Sequence, residues 1–144
     1  MIDQDIWDLL VKLYTSYPNL KRANASDNQV CKVEEVLGMK LSDFYRYFLK
    51  NHAVSAIGKY NINTLSSSDD SMSTCPVVDA TIKFRQEKQY PGSENYYIIA
   101  NSDKGDLIAA STQGQIYIVR IDKNLPVKLA ENFEEFLHNL LLKV

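Results

Sequence analysis

Two helices are predicted in the first part of the chain. Between residues 6 and 17, apolar side chains recur at i, i+3, i+4 and i+7, which is the spacing of one helical face. Pro18 ends this pattern, because proline lacks the backbone N–H that a helix interior requires. Ser26 and Gln29 have the spacing of a capping box, which predicts the start of a second helix. Gly38 follows the last apolar position and predicts its end.

Three further segments are predicted to be helical. Residues 43–51 are rich in aromatic side chains and follow a serine that can cap a helix. Residues 77–89 fit either a helix or a strand, and a helix is favoured because Pro76 suits a first helical turn. Asn132, with Glu135 three residues later, predicts the start of a closing amphipathic helix. The inward face of that helix consists of Phe133, Phe136, Leu137, Leu140 and Leu141.

Three short runs between these helices predict an antiparallel sheet. Residues 96–100, 106–110 and 115–120 are rich in β-branched and aromatic residues. Each connection is only a few residues long and contains a glycine, so the strands must be antiparallel neighbours in a β-meander. The sequence therefore predicts an α+β fold in which the meander packs against several α-helices. Its length suits a single domain over residues 1–144.

Both faces of the predicted meander are apolar. Tyr117, Val119 and Ile121 lie on one side of the last strand, whereas Ile116 and Ile118 lie on the other. One face must pack against the helices. The other is either covered by a second layer or available to a partner.

Composition and charge exclude several classes of protein. With 45% hydrophobic residues and a net charge of -2, the chain is not disordered. Lys and Arg are spread evenly, so nucleic-acid binding is not expected. The first residues lack a basic start, and no run of about eighteen apolar residues occurs, so neither a secretion signal nor a membrane span is expected. Two cysteines in all suit a reducing cytoplasm.

The sequence does not indicate catalytic or metal chemistry. The two histidines and two cysteines are scattered, so no metal site and no cofactor is expected. Cys31 follows Val30 on a predicted helix and is expected to be a buried, unreactive thiol. The segment from Asp103 to Asp106 lacks the remaining ligands of a calcium loop, and it is predicted to be a hairpin turn with Gly105 at positive φ. The chain is therefore not expected to be an enzyme.

Two blocks of sequence form a pattern of five elements in a fixed order. Residues 33–49 contain a glutamate three positions before Leu-Gly, then an acidic residue followed by aromatic residues. Residues 97–137 contain a Gly-Asp strand, a Gly-x-Ile-Tyr strand and an Ala-x-x-Phe-x-x-Phe-Leu helix. Together these blocks resemble the SUKH superfamily of Smi/Knr-like domains over roughly residues 26–141. The residues that carry the resemblance are Glu34, Leu37, Gly38, Leu41, Phe44, Phe48, Gly105, Asp106, Tyr117, Phe133, Phe136 and Leu137.

The resemblance implies helices packed on one antiparallel sheet, and binding rather than catalysis. Many bacterial members resemble immunity proteins, which neutralise a toxin domain, often a nuclease. Others resemble interaction modules of regulators, for example in cell-wall synthesis. An immunity protein is favoured and a regulatory module is the alternative, because one fold can serve many partners. Ser42 stands where the family usually has proline. Glu34 has three interpretations: a partner contact, a carboxylate that holds the following loop, or a solvated acid on a helix.

The predicted contact surface is the sheet face opposite the helices, together with the polar loop over residues 64–74 and nearby tyrosines. Tyrosine offers a large contact area and a polar end at a low entropic cost. Acidic side chains would match the basic active site of an enzyme that acts on nucleic acid. The predicted contact residues are Tyr45, Tyr60, Asp69, Asp70, Glu94, Tyr97, Asp103, Ile116 and Ile118. The expected partner is a protein, and an apolar outer face would equally suit a homodimer.

Overall fold

The computed structural model of the chain describes residues 4–65, 76–88, 93–120 and 126–142. The helices are α1 Gln4–Ser16, α2 Asp27–Leu37, α3 Asp43–Asn51, α4 Pro76–Lys88 and α5 Phe133–Leu141, with short 3-10 helices at Pro18–Leu20 and Ser93–Asn95. The strands are β1 Ala56–Ile57, β2 Tyr60–Ile62, β3 Tyr96–Ser102, β4 Leu107–Ser111, β5 Ile116–Val119 and β6 Val127–Ala130. Among these described helices, none combines the length and the apolar character needed to cross a membrane.

The helix ends follow the predicted capping chemistry. The Ser26 hydroxyl accepts a hydrogen bond from the Gln29 backbone N–H, and the Gln29 side chain accepts one from the Ser26 N–H. Gly38 ends α2 in the left-handed conformation, with φ of 73°. Ser42 caps α3 and Asn132 caps α5. The helical interpretation of residues 77–89 is also confirmed, since α4 occupies almost all of that range.

The described strands form one antiparallel sheet in the order β1-β2-β3-β4-β5-β6. The predicted meander is its β3-β4-β5 part, which confirms the α+β fold class. The sequence did not predict β1, β2 or β6. Strands of two or three residues give almost no alternation, and the four residues of β6 include one β-branched and no aromatic residue.

The main core lies between one face of the sheet and helices α1, α2, α3 and α5. Ile116 and Ile118 of β5 lie in this core. The prediction that these two side chains belong to an outer contact surface is therefore wrong. Strand alternation forces the choice: burying them against the larger helical layer turns Tyr117 to the opposite face.

The opposite, or outer, face of the sheet is partly covered by α4. Phe84 of α4 packs with Ile98, Ala109 and Val119 in a second, smaller apolar cluster. Val77, at the start of the same helix, lies in the main core instead. The helix therefore passes around the edge of β3, and of the two alternatives for the second face, a covering layer is present over part of it. The apolar character of both faces was the signal for this second layer.

Strand β3 continues past the end of β2. On that side its backbone is hydrogen-bonded by Thr81 and Asn63 instead of by a neighbouring strand. The Thr81 hydroxyl accepts a hydrogen bond from the Ile98 N–H at 2.8 Å, and the Asn63 side-chain amide donates one to the Ile98 carbonyl at 2.9 Å. The Asn63 N–H donates to the carbonyl of Ile99, and its own carbonyl accepts from the Tyr45 hydroxyl. Thr81 and Asn63 are both buried. The N–H and carbonyl of Ile98 and the carbonyl of Ile99 thereby each have a protein partner.

Arg85 fixes the other end of α4. Its guanidinium donates to the carbonyl of Leu37 at the end of α2 and to the carbonyls of Glu94 and Tyr96 at the start of β3. One side chain thereby joins α4 to the end of α2 and to the start of β3, because its planar fork can serve several acceptors at once.

Replacing Thr81 with valine should lower the free energy of unfolding by about 1–3 kcal/mol, because the buried Ile98 N–H then loses its acceptor. Valine has nearly the shape of threonine, so packing is preserved. Urea unfolding followed by circular dichroism measures the change. Thr81→Ser is the matched control, since it keeps the hydroxyl and removes a methyl group. An undiminished stability in Thr81→Val would contradict this role.

Candidate protein-binding surface

Two of the tyrosines predicted to contact a partner are core residues. Tyr45 and Tyr97 are completely buried, so neither side chain can contact a partner in this fold. The Tyr45 hydroxyl donates to the Asn63 carbonyl, while the Tyr97 hydroxyl accepts from the Ser42 N–H at 2.9 Å. Burial raises the pKa of Tyr97. Both residues act structurally, and their placement on a contact surface is corrected.

Glu34 holds the loop between α2 and α3. Its Oε2 atom accepts a hydrogen bond from the Leu41 N–H at 2.8 Å. The next N–H, that of Ser42, donates to Tyr97. Of the three interpretations of Glu34, the structure has the carboxylate that fixes the following loop. Gly38 allows that loop to leave the helix with positive φ.

The other residues of the family pattern are mostly structural in position. Phe44 is half-buried against the main core, and Gly105 has φ of 93° in the β3-β4 turn. Oδ2 of Asp106 lies 3.9 Å from a guanidinium nitrogen of Arg120. Tyr117 is half-buried on the outer face. The members of the pattern within the main core are Leu37, Leu41, Phe48, Phe133, Phe136 and Leu137.

The described members of the remaining predicted contact set do not form one surface. Tyr60 is half-buried, with its ring 5.9 Å from that of Phe136 on the side of α5. Glu94 and Asp103 are exposed but stand at opposite ends of the seven-residue β3, about 20 Å apart. Asp69 and Asp70, which were also predicted to contact a partner, lie outside the described residues.

A pair of tyrosines that sequence reasoning did not combine lies on the outer face. The rings of Tyr96 and Tyr117 meet edge to face, with 5.5 Å between their centroids. The Tyr117 hydroxyl donates to Oε1 of Gln115 at 2.9 Å. All three side chains are half-buried, and they are called here the tyrosine patch. Burial raises the pKa of Tyr96, and the neighbouring Tyr117 adds to this effect.

A recess of about 360 Å³ continues the outer face on the other side of Phe84. Its apolar lining includes Phe84, Leu107 and Val119. Its polar groups come from two elements. On α4, Nζ of Lys83 lies 4.0 Å from Oε1 of Glu87, and near the end of β3 Asn101 completes the lining. Tyr96 and Leu107 both pack against the outer cluster that contains Phe84, so the tyrosine patch and the recess form one aromatic and apolar surface.

A second depression lies on the core side of the sheet, between α5 and the β1-β2 hairpin. This α5 groove has a volume of about 570 Å³. Its lining is largely apolar, with Tyr60 on one wall and Leu129 and Phe136 on the other. It is larger than the outer recess and lies at the opposite face, so one partner domain of ordinary size would cover only one of them.

An aromatic cluster joins α1 to the end of α3. The His52 ring stacks on Trp7, with 5.4 Å between centroids, and the Tyr14 hydroxyl lies 3.2 Å from Nδ1 of His52. Burial lowers the pKa of His52, and the positive charge of Lys21 lowers it further, whereas Asp8 acts in the opposite direction. The cluster therefore favours a neutral imidazole.

Within the part of the chain that the structure describes, metal-binding groups are not gathered at either face. Cys31 is exposed on α2, so the prediction of a buried thiol is wrong. The helix turns its apolar face, with Val30 and Val33, toward the core and leaves Cys31 on the solvent side. Across the described ranges, histidine, cysteine and acidic side chains form no group of three that could hold a metal ion.

The architecture defines an α+β domain in which helices cover an antiparallel sheet and leave an aromatic strip of its outer face accessible. The chain belongs to the SMI1 / KNR4 family (SUKH-1), whose family model matches residues 24–139. This match confirms the resemblance seen in the sequence over roughly residues 26–141. A search of the curated proteins found no match.

The stability of the protein should decrease as the pH falls below about 6.5, the ordinary pKa of histidine. Because the pKa of His52 is lower in the folded state, the unfolded chain binds the proton more readily in this range. The free energy of unfolding continues to fall until the pH is below the pKa of His52 in the folded state. His52→Phe should keep the ring stacking and flatten this part of the profile, whereas His138→Gln, at an exposed histidine on α5, should not. Urea unfolding at several pH values measures the effect, and identical profiles for His52→Phe and wild type would contradict it.

Proposed function

We propose that the protein is a non-enzymatic binding domain that neutralises a toxin domain by covering its active site. Membership of the SMI1 / KNR4 family is the observation that carries this proposal, since it extends over most of the chain. The proposed place of action is the cytoplasm of the cell that makes the protein. A polypeptide partner agrees with the evenly spread Lys and Arg, which would release few counterions from nucleic acid.

The proposed contact surface is the tyrosine patch with the adjoining recess. Tyr96 and Tyr117 are large side chains that are only half-buried. Their edge-to-face packing fixes both rings before a partner arrives, which lowers the entropic cost of binding. Phe84 and Leu107 extend the apolar area beside them. Such a centre of aromatic residues with a polar rim is typical of energetically important contact sites.

The electrostatic character of this surface supports binding to a mixed rather than a strongly basic site. Glu94 precedes the patch, Lys128 stands beside Tyr117 on β6, and Lys83 and Glu87 border the recess. Opposite charges speed the encounter between partners, but here both signs are present. Shape and aromatic contacts are therefore proposed to supply most of the affinity, whatever reaction the toxin domain performs.

The proposed partner is to be sought with tagged protein as bait in a lysate of cells from its own source and from competing strains. One stoichiometric partner that carries a toxin domain, and growth rescued by co-expression of the two, would support neutralisation. A mixed set of cell-wall or signalling proteins bound weakly would instead indicate a regulatory module. Calorimetry separates the two, because an immunity pair should bind one to one and tightly.

The double substitution Tyr96→Ala and Tyr117→Ala should weaken binding of the captured partner at least about a hundredfold, as expected for truncation of two central aromatic residues. Tyr17→Ala is the matched control, because Tyr17 is 61% exposed and lies on the α1 side of the molecule. Circular dichroism and urea unfolding verify that each variant is folded. Equal affinities of the double variant and wild type would remove this surface from the proposal.

A further inference from the structure

Strand β6 ends the sheet with an exposed apolar edge. In the described part of the chain its neighbour is β5, and no strand pairs with its other side. Two of its four residues are apolar and open to solvent, with Val127 57% and Leu129 40% exposed. An edge of this kind is a template for pairing with another strand, and proteins usually protect it.

The neighbours of β6 define which of its side chains lie on each face. Lys128 pairs with Tyr117 and therefore points to the outer face, while Ala130 pairs with Ile116 and points to the core face. The register shifts between these pairs, and Leu129 at the shift lines the α5 groove on the core side. Nζ of Lys128 lies 2.5 Å from Oε1 of Glu131, so the Glu131 carboxylate is on the outer side as well.

These positions restrict how β6 could pair with a second copy of itself. Antiparallel partners must present matching faces across the pair. One such register places Lys128 opposite Lys128 of the second copy, which juxtaposes like charges. The other places Lys128 opposite Glu131 and Leu129 opposite Ala130. Because a two-fold axis repeats each contact, that register forms two ion pairs of opposite charge at once.

We propose that the chain forms a symmetric homodimer by antiparallel pairing of β6 with β6, in which Lys128 of each copy lies opposite Glu131 of the other. The segment Lys128-Leu129-Ala130-Glu131 is self-complementary in this register. The six described strands of each copy then form one continuous sheet. Val127, Leu129 and the 66% exposed Leu142 border the junction on the core side, where the two α5 grooves adjoin. Their burial adds an apolar contribution to the pairing.

The dimer is tested by sedimentation equilibrium of the full chain over a series of concentrations. Wild type is expected to approach twice the chain mass as the concentration rises. Lys128→Glu and Glu131→Lys should each weaken dimerisation about tenfold or more, because each replaces two attractive contacts with two repulsive ones. An equimolar mixture of the two variants should recover a dimer, since the edge of one variant then carries two acidic side chains and the edge of the other carries two basic ones.

Two sets of control variants show whether the effect is specific to the β6 edge. Lys83→Glu and Glu87→Lys reverse an exposed pair of the same kind on α4 and should leave the association unchanged. The single variant Tyr96→Ala, in the proposed contact surface but on β3, should also dimerise normally, so the outcome is independent of the proposed toxin partner. A monomeric wild type would overturn the proposal. So would a dimer that both single reversals leave intact, or a variant mixture that fails to associate.

Discussion

The backbone of β3 beyond the end of β2 is the constraint on which the rest of the structure depends. A central strand cannot leave its N–H and C=O groups buried without partners. Here Thr81 from α4 and Asn63 from the chain after β2 satisfy the amide and the carbonyl of the same residue, Ile98. Asn63 in turn accepts the hydroxyl of Tyr45 on α3. Two helices on opposite sides of the sheet are thus oriented by one residue of β3.

This arrangement explains why one face of the sheet is closed and the other remains partly open. Four helices cover the core face of the sheet, whereas on the outer face Ile98, Ala109 and Val119 pack with Phe84 of a single helix. A single helix is then sufficient to cover the centre of that face. Since α4 packs mainly against β3 rather than β5, Tyr117 is left beside Tyr96 at the uncovered end. The proposed contact surface is therefore the part of the outer face that α4 does not cover.

Most of the fold, but little of the site, could be predicted from the sequence. Capping residues such as Ser26 and Gly38 act within one turn of chain, so their pattern is sufficient to locate helix ends. Which face of β5 meets the larger helical layer depends on the packing of α1, α2, α3 and α5, and this packing is not visible in the alternation of Ile116 to Ile118. Tyr45 and Tyr97 illustrate the same point. A tyrosine can be exposed or buried, and the sequence does not show that the hydroxyls of these two bind backbone groups inside the protein.

The position of α4 also determines what a partial opening of the molecule exposes. The helix is joined to the remainder by Thr81, by the three carbonyls that Arg85 contacts, and by the Phe84 cluster. If α4 alone detaches, the groups of Ile98 and the apolar outer face become accessible together, and Val77 and Val78 leave the main core. That species presents an unpaired strand edge beside exposed aliphatic side chains, which is the combination that seeds aggregation. Detachment of this one helix is therefore a route to aggregation that does not require global unfolding.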